Sequence, residues 1–141
     1  MKSMGCCIIL LAFAVSCPTL QASENNGACN AEMAKIAETE AASIKNWSAL
    51  VDSFSKYKAC DDGAIAEGYS ESVTNLLVEK WHEFNELISR RKLSAEFIGF
   101  VMRHIDDTVP LNRLLEIRKN ASKNCPISSR NYCRKIIDAI K

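Results

Sequence analysis

The chain has 141 residues, of which 25 % are charged, and its formal net charge at pH 7 is +1. Nucleic-acid binding is not expected, because the net charge is near zero and aromatic residues do not interleave with the basic ones. The length fits one domain with a core of moderate size.

Residues 1–22 have the features of a secretory signal peptide. Lys2 supplies the positive start, residues 6–15 are uniformly apolar, and Ala22 ends a segment of the small-residue type at which such peptides are cleaved. The apolar run is shorter than the roughly 20 residues that span a bilayer. We therefore predict an exported protein, periplasmic or secreted, without a transmembrane span. A lipoprotein tethered at Cys17, which ends a weak lipobox, is the alternative.

Residues 23–28 are predicted to be a mobile leader, and residues 29–141 a single helical domain. Four of the seven cysteines lie in that domain: Cys29, Cys60, Cys125 and Cys133. An even number of cysteines in an exported chain favours two disulfides over a zinc site, which usually contains a close Cys-x-x-Cys pair.

The pairing of these cysteines depends on how the first helical region is folded. If a hairpin turn near residues 41–43 separates two helices, Cys29 and Cys60 meet, which predicts the bridges Cys29–Cys60 and Cys125–Cys133. If the region is one unbroken rod, its ends are some 40 Å or more apart at about 1.5 Å per residue. Cys60 would then pair with a C-terminal cysteine instead.

Apolar residues recur at helical spacing throughout the domain, and no stretch alternates with a period of two. Caps and breaks mark helix starts near Ser94, at Pro110 and at Ser128. The pattern predicts an all-α domain, a compact bundle of about five to six helices stabilised by disulfides.

Residues 60–77 form the clearest predicted helix. Asp61 is its expected N-cap, and Asp62 places a second carboxylate at the positive end of the helix dipole. Gly68 lies in mid-helix, where glycine costs about 1 kcal/mol relative to alanine. We predict that another helix or a ligand passes close to the backbone there.

The charge is divided between the two halves of the domain. Residues 23–79 contain ten acidic and four basic side chains, whereas residues 80–141 contain seven acidic and thirteen basic ones. Such asymmetry favours charged partners or head-to-tail contact between copies of the chain. Four acidic residues of the central helix form the candidate interaction surface: Asp61, Asp62, Glu67 and Glu71.

Few residues suit catalysis or metal binding. The pairs Glu79 with His82 and His104 with Asp107 have the i, i+3 spacing of metal ligands, but this pattern is common by chance. His82 is expected at the surface, and His104 half-buried near Asp107. We predict no metal, no cofactor and no enzyme activity, with a periplasmic enzyme using Glu67, His82 and His104 as the alternative.

Basic residues indicate a further alternative. Residues 90–92 read Arg-Arg-Lys, and Arg113, Arg118, Lys119 and Lys123 follow on a later helix. This basic face suits a binder of anionic lipid or cell-wall polymer.

The stretch of residues 57–70, YKACDDGAIAEGYS, together with residues 100–106, FVMRHID, resembles a group of small exported proteobacterial proteins without an assigned function. The resemblance covers about two thirds of the exported chain and implies no activity. In size, export and helical build, the chain is also similar to periplasmic immunity proteins that neutralise toxins delivered by type VI secretion. The expected function is therefore a binding protein that acts through a protein or envelope contact, and an immunity or inhibitor role is its most concrete form.

Overall fold

The structure, a computed structural model, describes residues 28–140. In that range the chain forms seven α-helices and two one-turn 3-10 helices, without strands. The all-α prediction is confirmed, with seven helices where about five to six were expected. The predicted signal peptide, Cys17 and the leader up to residue 27 lie outside the described residues. The helices are α1 (Ala31–Ala41), α2 (Trp47–Tyr57), α3 (Gly63–Glu79), α4 (Trp81–Ser89), α5 (Ala95–Arg103), α6 (Leu111–Lys123) and α7 (Arg130–Ala139).

Polar side chains cap four of the helix starts. Asn30, Asn46 and Ser94 each accept a hydrogen bond from the backbone N–H three residues later, at 2.8–3.1 Å. Asp62 caps α3 through its carboxylate. The prediction of Asp61 as the N-cap was therefore wrong, because that side chain turns toward the interior. A cap of this kind contributes about 1 kcal/mol.

The first two helices form a hairpin. Residues 42–46 separate α1 from α2, and a disulfide joins Cys29, before α1, to Cys60, in the 3-10 turn after α2. The Cα atoms of these cysteines are 4.9 Å apart. Both the hairpin and the Cys29–Cys60 pairing are confirmed.

The central helix is α3, which contacts α1, α2, α4 and α6. Its apolar stripe is inaccessible to solvent at Tyr69, Val73 and Leu77. Burying a large apolar side chain stabilises the fold by roughly 1.5–3 kcal/mol. The hydroxyl of Tyr69 is satisfied by Ser53 of α2, whose Oγ lies 2.9 Å away. The stripe therefore ties α3 to its neighbours through both apolar and polar contacts.

Gly68 lies where α1 crosses α3. A Cβ atom at Gly68 would be 2.9 Å from the Cβ of Ala41 and 3.0 Å from the backbone N of Ala42. One turn further along α3, the hydroxyl of Ser72 donates to the carbonyl of Ala41. The predicted close approach at Gly68 is confirmed, and the neighbour is a helix.

Helices α3 and α4 are separate, although neither glycine nor proline lies between them. The backbone leaves helical geometry at Lys80, with φ −122° and ψ 34°. The indole N–H of Trp47 donates to the Lys80 carbonyl at 3.1 Å, and the Trp47 ring stacks on Phe84 with a centroid distance of 4.8 Å. A side chain from α2 therefore supports the break.

The C-terminal part is closed by the second predicted disulfide. Cys125 and Cys133 are bonded, with Cα atoms 6.2 Å apart, and α6 packs on α7. Two disulfides indicate an oxidising environment. Among residues 28–140, no helix combines the length and the apolar character needed to cross a membrane.

Candidate functional site

A polar cleft lies between the first half of α3 and the segment that connects α5 to α6. It consists of two adjoining depressions of about 290 Å³ each, which share Glu67, Ser70 and Thr108. We name it the α3 cleft. Its lining residues are Asp61, Ala66, Glu67, Ser70, Glu71, Arg103, His104, Asp106, Thr108, Val109, Pro110 and Arg113.

Three polar side chains form the buried floor of the α3 cleft. Ser70, on α3, is 6 % exposed, and His104, at the end of α5, is 4 % exposed. The Ser70 Oγ atom lies 2.9 Å from Nδ1 of His104, and Nε2 of His104 lies 3.2 Å from Oδ1 of Asp61. His104 is thus fully inside the protein and pairs with Asp61, so the expectation of a half-buried position near Asp107 was wrong.

The contact between Asp61 and His104 is close, but it is not a well-formed hydrogen bond. Nε2 of His104 and Oδ1 of Asp61 lie 3.2 Å apart, and neither atom has a hydrogen-bond partner among the described residues. A buried polar atom without a partner costs about 1–3 kcal/mol. Both atoms therefore retain hydrogen-bonding capacity at the floor of the cleft.

Asp61 is held as an anion by its neighbours. Burial raises the pKa of this carboxyl, but the adjacent His104 and Arg103 outweigh burial, so that the pKa lies below its ordinary value. Nη2 of Arg103 is 3.5 Å from Oδ2 of Asp61. The Asp61 carboxylate is therefore ionised at neutral pH.

A second ion pair closes the other end of the cleft. Arg113, on α6, donates to both carboxylate oxygens of Glu71, at 2.7 and 3.1 Å, and also to the Thr74 hydroxyl at 3.3 Å. The hydrogen bonds from Arg113 and from Asn75 lower the pKa of Glu71. Because this bidentate pair joins α6 to α3, the charge of Glu71 is matched within the protein.

Glu67 is different, because it is exposed at the rim of the cleft. No hydrogen bond or ion pair joins its carboxylate to another side chain in the part of the chain that the structure describes. Nearby, Asp106 accepts a hydrogen bond from the Thr108 backbone N–H at 2.8 Å, which shapes the loop that forms the opposite wall. Glu67 is therefore available to a cation from outside.

The four acidic residues of the candidate interaction surface occupy distinct positions. Asp62 caps α3 and is exposed, and Glu67 stands at the rim of the cleft. Glu71 pairs with Arg113, and Asp61 belongs to the floor, with its side chain 10 % exposed. Their role as an interaction surface stays a prediction. It concerns Asp62 and Glu67 most directly, because these two are exposed.

His82 lies apart from this group. Its side chain is 87 % exposed, as expected, and its Nε2 is 3.5 Å from Glu86. Of the residues considered for an enzyme, the cleft brings together Glu67 and His104. No group of three or more His, Cys, Asp or Glu side chains within residues 28–140 is placed to hold a metal ion.

Neither Ser70 nor Arg103 was predicted as a site residue, and Arg113 was predicted only as part of a basic surface. Ser70 and Thr74 recur at helical spacing beside the apolar stripe of α3, and this pattern is a signal for buried polar groups. Arg113 gives no comparable signal, because its partner Glu71 is 42 residues away in the chain.

Comparisons of the chain with protein families, with curated proteins and with solved structures gave no match. The resemblances drawn from the sequence therefore stay expectations. The geometry and charge of the α3 cleft are the basis for proposing a function.

Proposed function

We propose that this chain is an exported binding protein that contacts another protein through the α3 cleft. The observation that supports this most is Glu67, an exposed carboxylate at the rim without an internal counter-charge among the described residues. The cleft as a whole has more carboxylates than guanidinium groups, namely Asp61, Glu67, Glu71 and Asp106 against Arg103 and Arg113. Its preferred occupant is a basic side chain of the partner.

Two exposed leucines of α6, Leu111 and Leu115, lie next to the Pro110 end of the cleft. Pro110 lines the cleft, and the next residue, Leu111, is 67 % exposed. Leu115, one turn later on α6, is 53 % exposed. Apolar anchors beside charged groups are typical of protein–protein interfaces. In this proposal the partner places a basic residue in the cleft and an apolar side chain against the two leucines.

The proposed location is outside the cytoplasm, periplasmic or secreted, with a lipoprotein anchor at Cys17 as the alternative. The predicted signal peptide and the two disulfides both support export. An immunity or inhibitor role, in which the protein covers the working surface of its partner, is the most concrete version. A bundle held by two disulfides suits this role, because a pre-organised surface loses little conformational entropy on binding.

The test is capture of the partner from an extract of the protein's own cell envelope, followed by mass spectrometry. A specific partner should be captured by the unaltered protein and lost with Glu67→Arg and with Leu115→Asp. The matched control is Glu38→Arg, which reverses the charge of an exposed glutamate on α1 and should leave capture unchanged.

Salt provides the second measurement. Exposed charges are screened over about 10 Å at 0.1 M salt. The affinity for the purified partner should therefore fall clearly between low and physiological ionic strength. Capture that does not depend on Glu67 and Leu115, or an affinity that salt leaves unchanged, contradicts the proposal.

Acyl hydrolysis is the second candidate, because Ser70, His104 and Asp61 are in contact in the order of a hydrolase triad. His104 would accept the Ser70 proton as the hydroxyl oxygen attacks the acyl carbon, and would pass that proton to the leaving group. The backbone N–H groups around Ser70 are engaged within α3, so the helix offers no donors for the oxyanion. We expect p-nitrophenyl acetate to be hydrolysed no faster by the unaltered protein than by Ser70→Ala. A rate that depends on Ser70 would establish an enzyme instead.

A further inference from the structure

A groove separate from the α3 cleft runs between α5 and α7. Its volume is about 380 Å³, and it shares no lining residue with the α3 cleft. A depression of about 400 Å³ adjoins it at Tyr132 and Lys135 and extends to Arg134. The groove is lined by Ala95, Ile98, Gly99 and Met102 from α5 and by Tyr132 and Lys135 from α7. It thus joins an apolar floor to a charged rim.

Gly99 keeps this groove open. It lies in the middle of α5, where a glycine destabilises a helix relative to alanine. A Cβ atom at Gly99 would meet nothing closer than Nη1 of Arg103, at 3.9 Å. At Gly68 the contact with α1 accounts for the missing side chain, but at Gly99 no neighbouring atom of the described chain does. The space beside Gly99 is therefore available to a ligand.

The rim offers cations to that ligand. Lys135 lines the groove and Arg134 the adjoining depression, and both are exposed. Neither forms an ion pair with another residue in the described range. Asp138 lines the same depression, so two cations stand there against one carboxylate. An apolar floor beside an excess of positive charge is complementary to an anionic amphiphile.

We propose that the α5–α7 groove binds a single acyl chain with an anionic head group, of which a long-chain carboxylate is the simplest example. The acyl chain lies along Gly99 and Met102, and the head group reaches Lys135 and Arg134. A volume of about 380 Å³ falls within the range of about 300–1,000 Å³ that is common for small-molecule sites.

The occupant is a monomeric amphiphile rather than a membrane surface. Binding to an anionic bilayer typically uses a cluster of about four to eight basic residues. Helix α7 carries Arg130, Arg134 and Lys135 as exposed basic residues, which is too few for that mode but enough for one head group.

Titration calorimetry of the purified protein with sodium laurate, below the concentration at which laurate forms micelles, tests the proposal. We expect saturable binding of one laurate per chain. Gly99→Leu should weaken it at least tenfold, because the new side chain fills the groove. The melting temperature of this variant should not fall, since leucine favours the helix and its Cβ atom meets nothing closer than 3.9 Å. Ala95→Leu fills the same groove one turn earlier and is the second variant, in case Gly99→Leu does not fold.

Two controls separate the head group from the acyl chain. Lys135→Gln should weaken laurate binding about two- to fivefold, the range for an exposed ion pair. Lys56→Gln, at an exposed lysine of α2, should leave it unchanged. Dodecyl maltoside, which has the same chain length without charge, should bind more weakly than laurate and should not respond to Lys135→Gln.

The proposal is overturned if the unaltered protein shows no saturable laurate binding, or if Gly99→Leu and Ala95→Leu bind laurate as tightly as it does. It is also overturned if vesicles of phosphatidylglycerol bind the protein and Gly99→Leu equally while laurate binds neither. That last result would identify a basic membrane-binding face in place of the groove.

Discussion

Replacing Gly68 by alanine measures how tightly α1 and α3 are packed. The added Cβ would lie 2.9 Å from the Cβ of Ala41 and 3.0 Å from the backbone N of Ala42, so α1 must move away from α3. Overpacking typically costs about 1–3 kcal/mol, and the better helix propensity of alanine offsets only about 1 kcal/mol of that. We expect the free energy of unfolding to fall by up to about 2 kcal/mol.

Movement of α1 is restrained at both ends, which favours the larger values in this range. The disulfide between Cys29 and Cys60 holds the start of α1. The Ser72 hydroxyl bonds the carbonyl of Ala41 at its end. Relieving the clash at Gly68 therefore strains one of these two connections.

The matched control is Gly99→Ala. Gly99 also lies in mid-helix, but its Cβ would meet no atom closer than 3.9 Å, so only the gain in helix propensity applies. Urea unfolding with linear extrapolation gives both free energies. Gly99→Ala should stabilise the protein by up to about 1 kcal/mol. If Gly68→Ala proves as stable as Gly99→Ala, the contact between α1 and α3 imposes no packing constraint and the reasoning is refuted.

Two further predictions concern the cleft floor and the disulfides. Because the pKa of Asp61 is lower in the folded than in the unfolded chain, its stabilising effect is complete above about pH 4 and is lost as the pH falls through the folded pKa. In urea unfolding from pH 6 to pH 2, Asp61→Asn should lose stability less steeply on acidification than the unaltered protein does. The control variant Asp52→Asn, at the aspartate of α2, should follow the unaltered protein. Equal slopes for Asp61→Asn and the unaltered protein would contradict the assignment. The bridges Cys29–Cys60 and Cys125–Cys133 span 31 and 8 residues, so loop entropy gives them about 3.7 and 2.5 kcal/mol. Replacing both cysteines of the Cys29–Cys60 bridge by serine should therefore cost about 1 kcal/mol more stability than the same replacement at Cys125 and Cys133. If the two double variants lose equal stability in denaturant unfolding, or if the shorter bridge proves worth more, the entropic account is excluded.

The helical architecture could be predicted, because it depends on local features that are visible in a single sequence. Capping residues, apolar periodicity and cysteine positions act over short distances or through simple geometry. The Cys29–Cys60 bridge followed from the hairpin, and the close approach at Gly68 followed from the cost of a glycine in mid-helix.

The break between α3 and α4 could not be located in this way. Lys80 is a good helix former, and nothing near it in the sequence stops a helix. The interaction that supports the break comes from Trp47, 33 residues earlier, whose indole N–H bonds the Lys80 carbonyl. A hydrogen bond between residues far apart in the chain produces no periodic pattern in the sequence from which it could be predicted.

The site could be predicted only in part, for the same reason. Glu67 and His104 were named, but Asp61 was interpreted as a helix cap because aspartate is common at that position. Its actual partner, His104, lies at the end of α5, and the residue that caps α3 is Asp62. Two adjacent aspartates made the two roles indistinguishable from sequence.

Glu67 is the cleft residue whose substitution should change partner binding without changing the stability of the fold. Ser70 of α3 contacts His104 at the end of α5, and Glu71 of α3 pairs with Arg113 of α6, so these polar groups of the cleft also hold the helices together. Substituting them changes the fold and the cleft together, and loss of binding would then have two explanations. Glu67 is exposed and unpaired within the described chain, so its replacement should change the free energy of unfolding by less than about 0.5 kcal/mol. A loss of partner binding by Glu67→Arg at unchanged stability therefore reports on the contact itself.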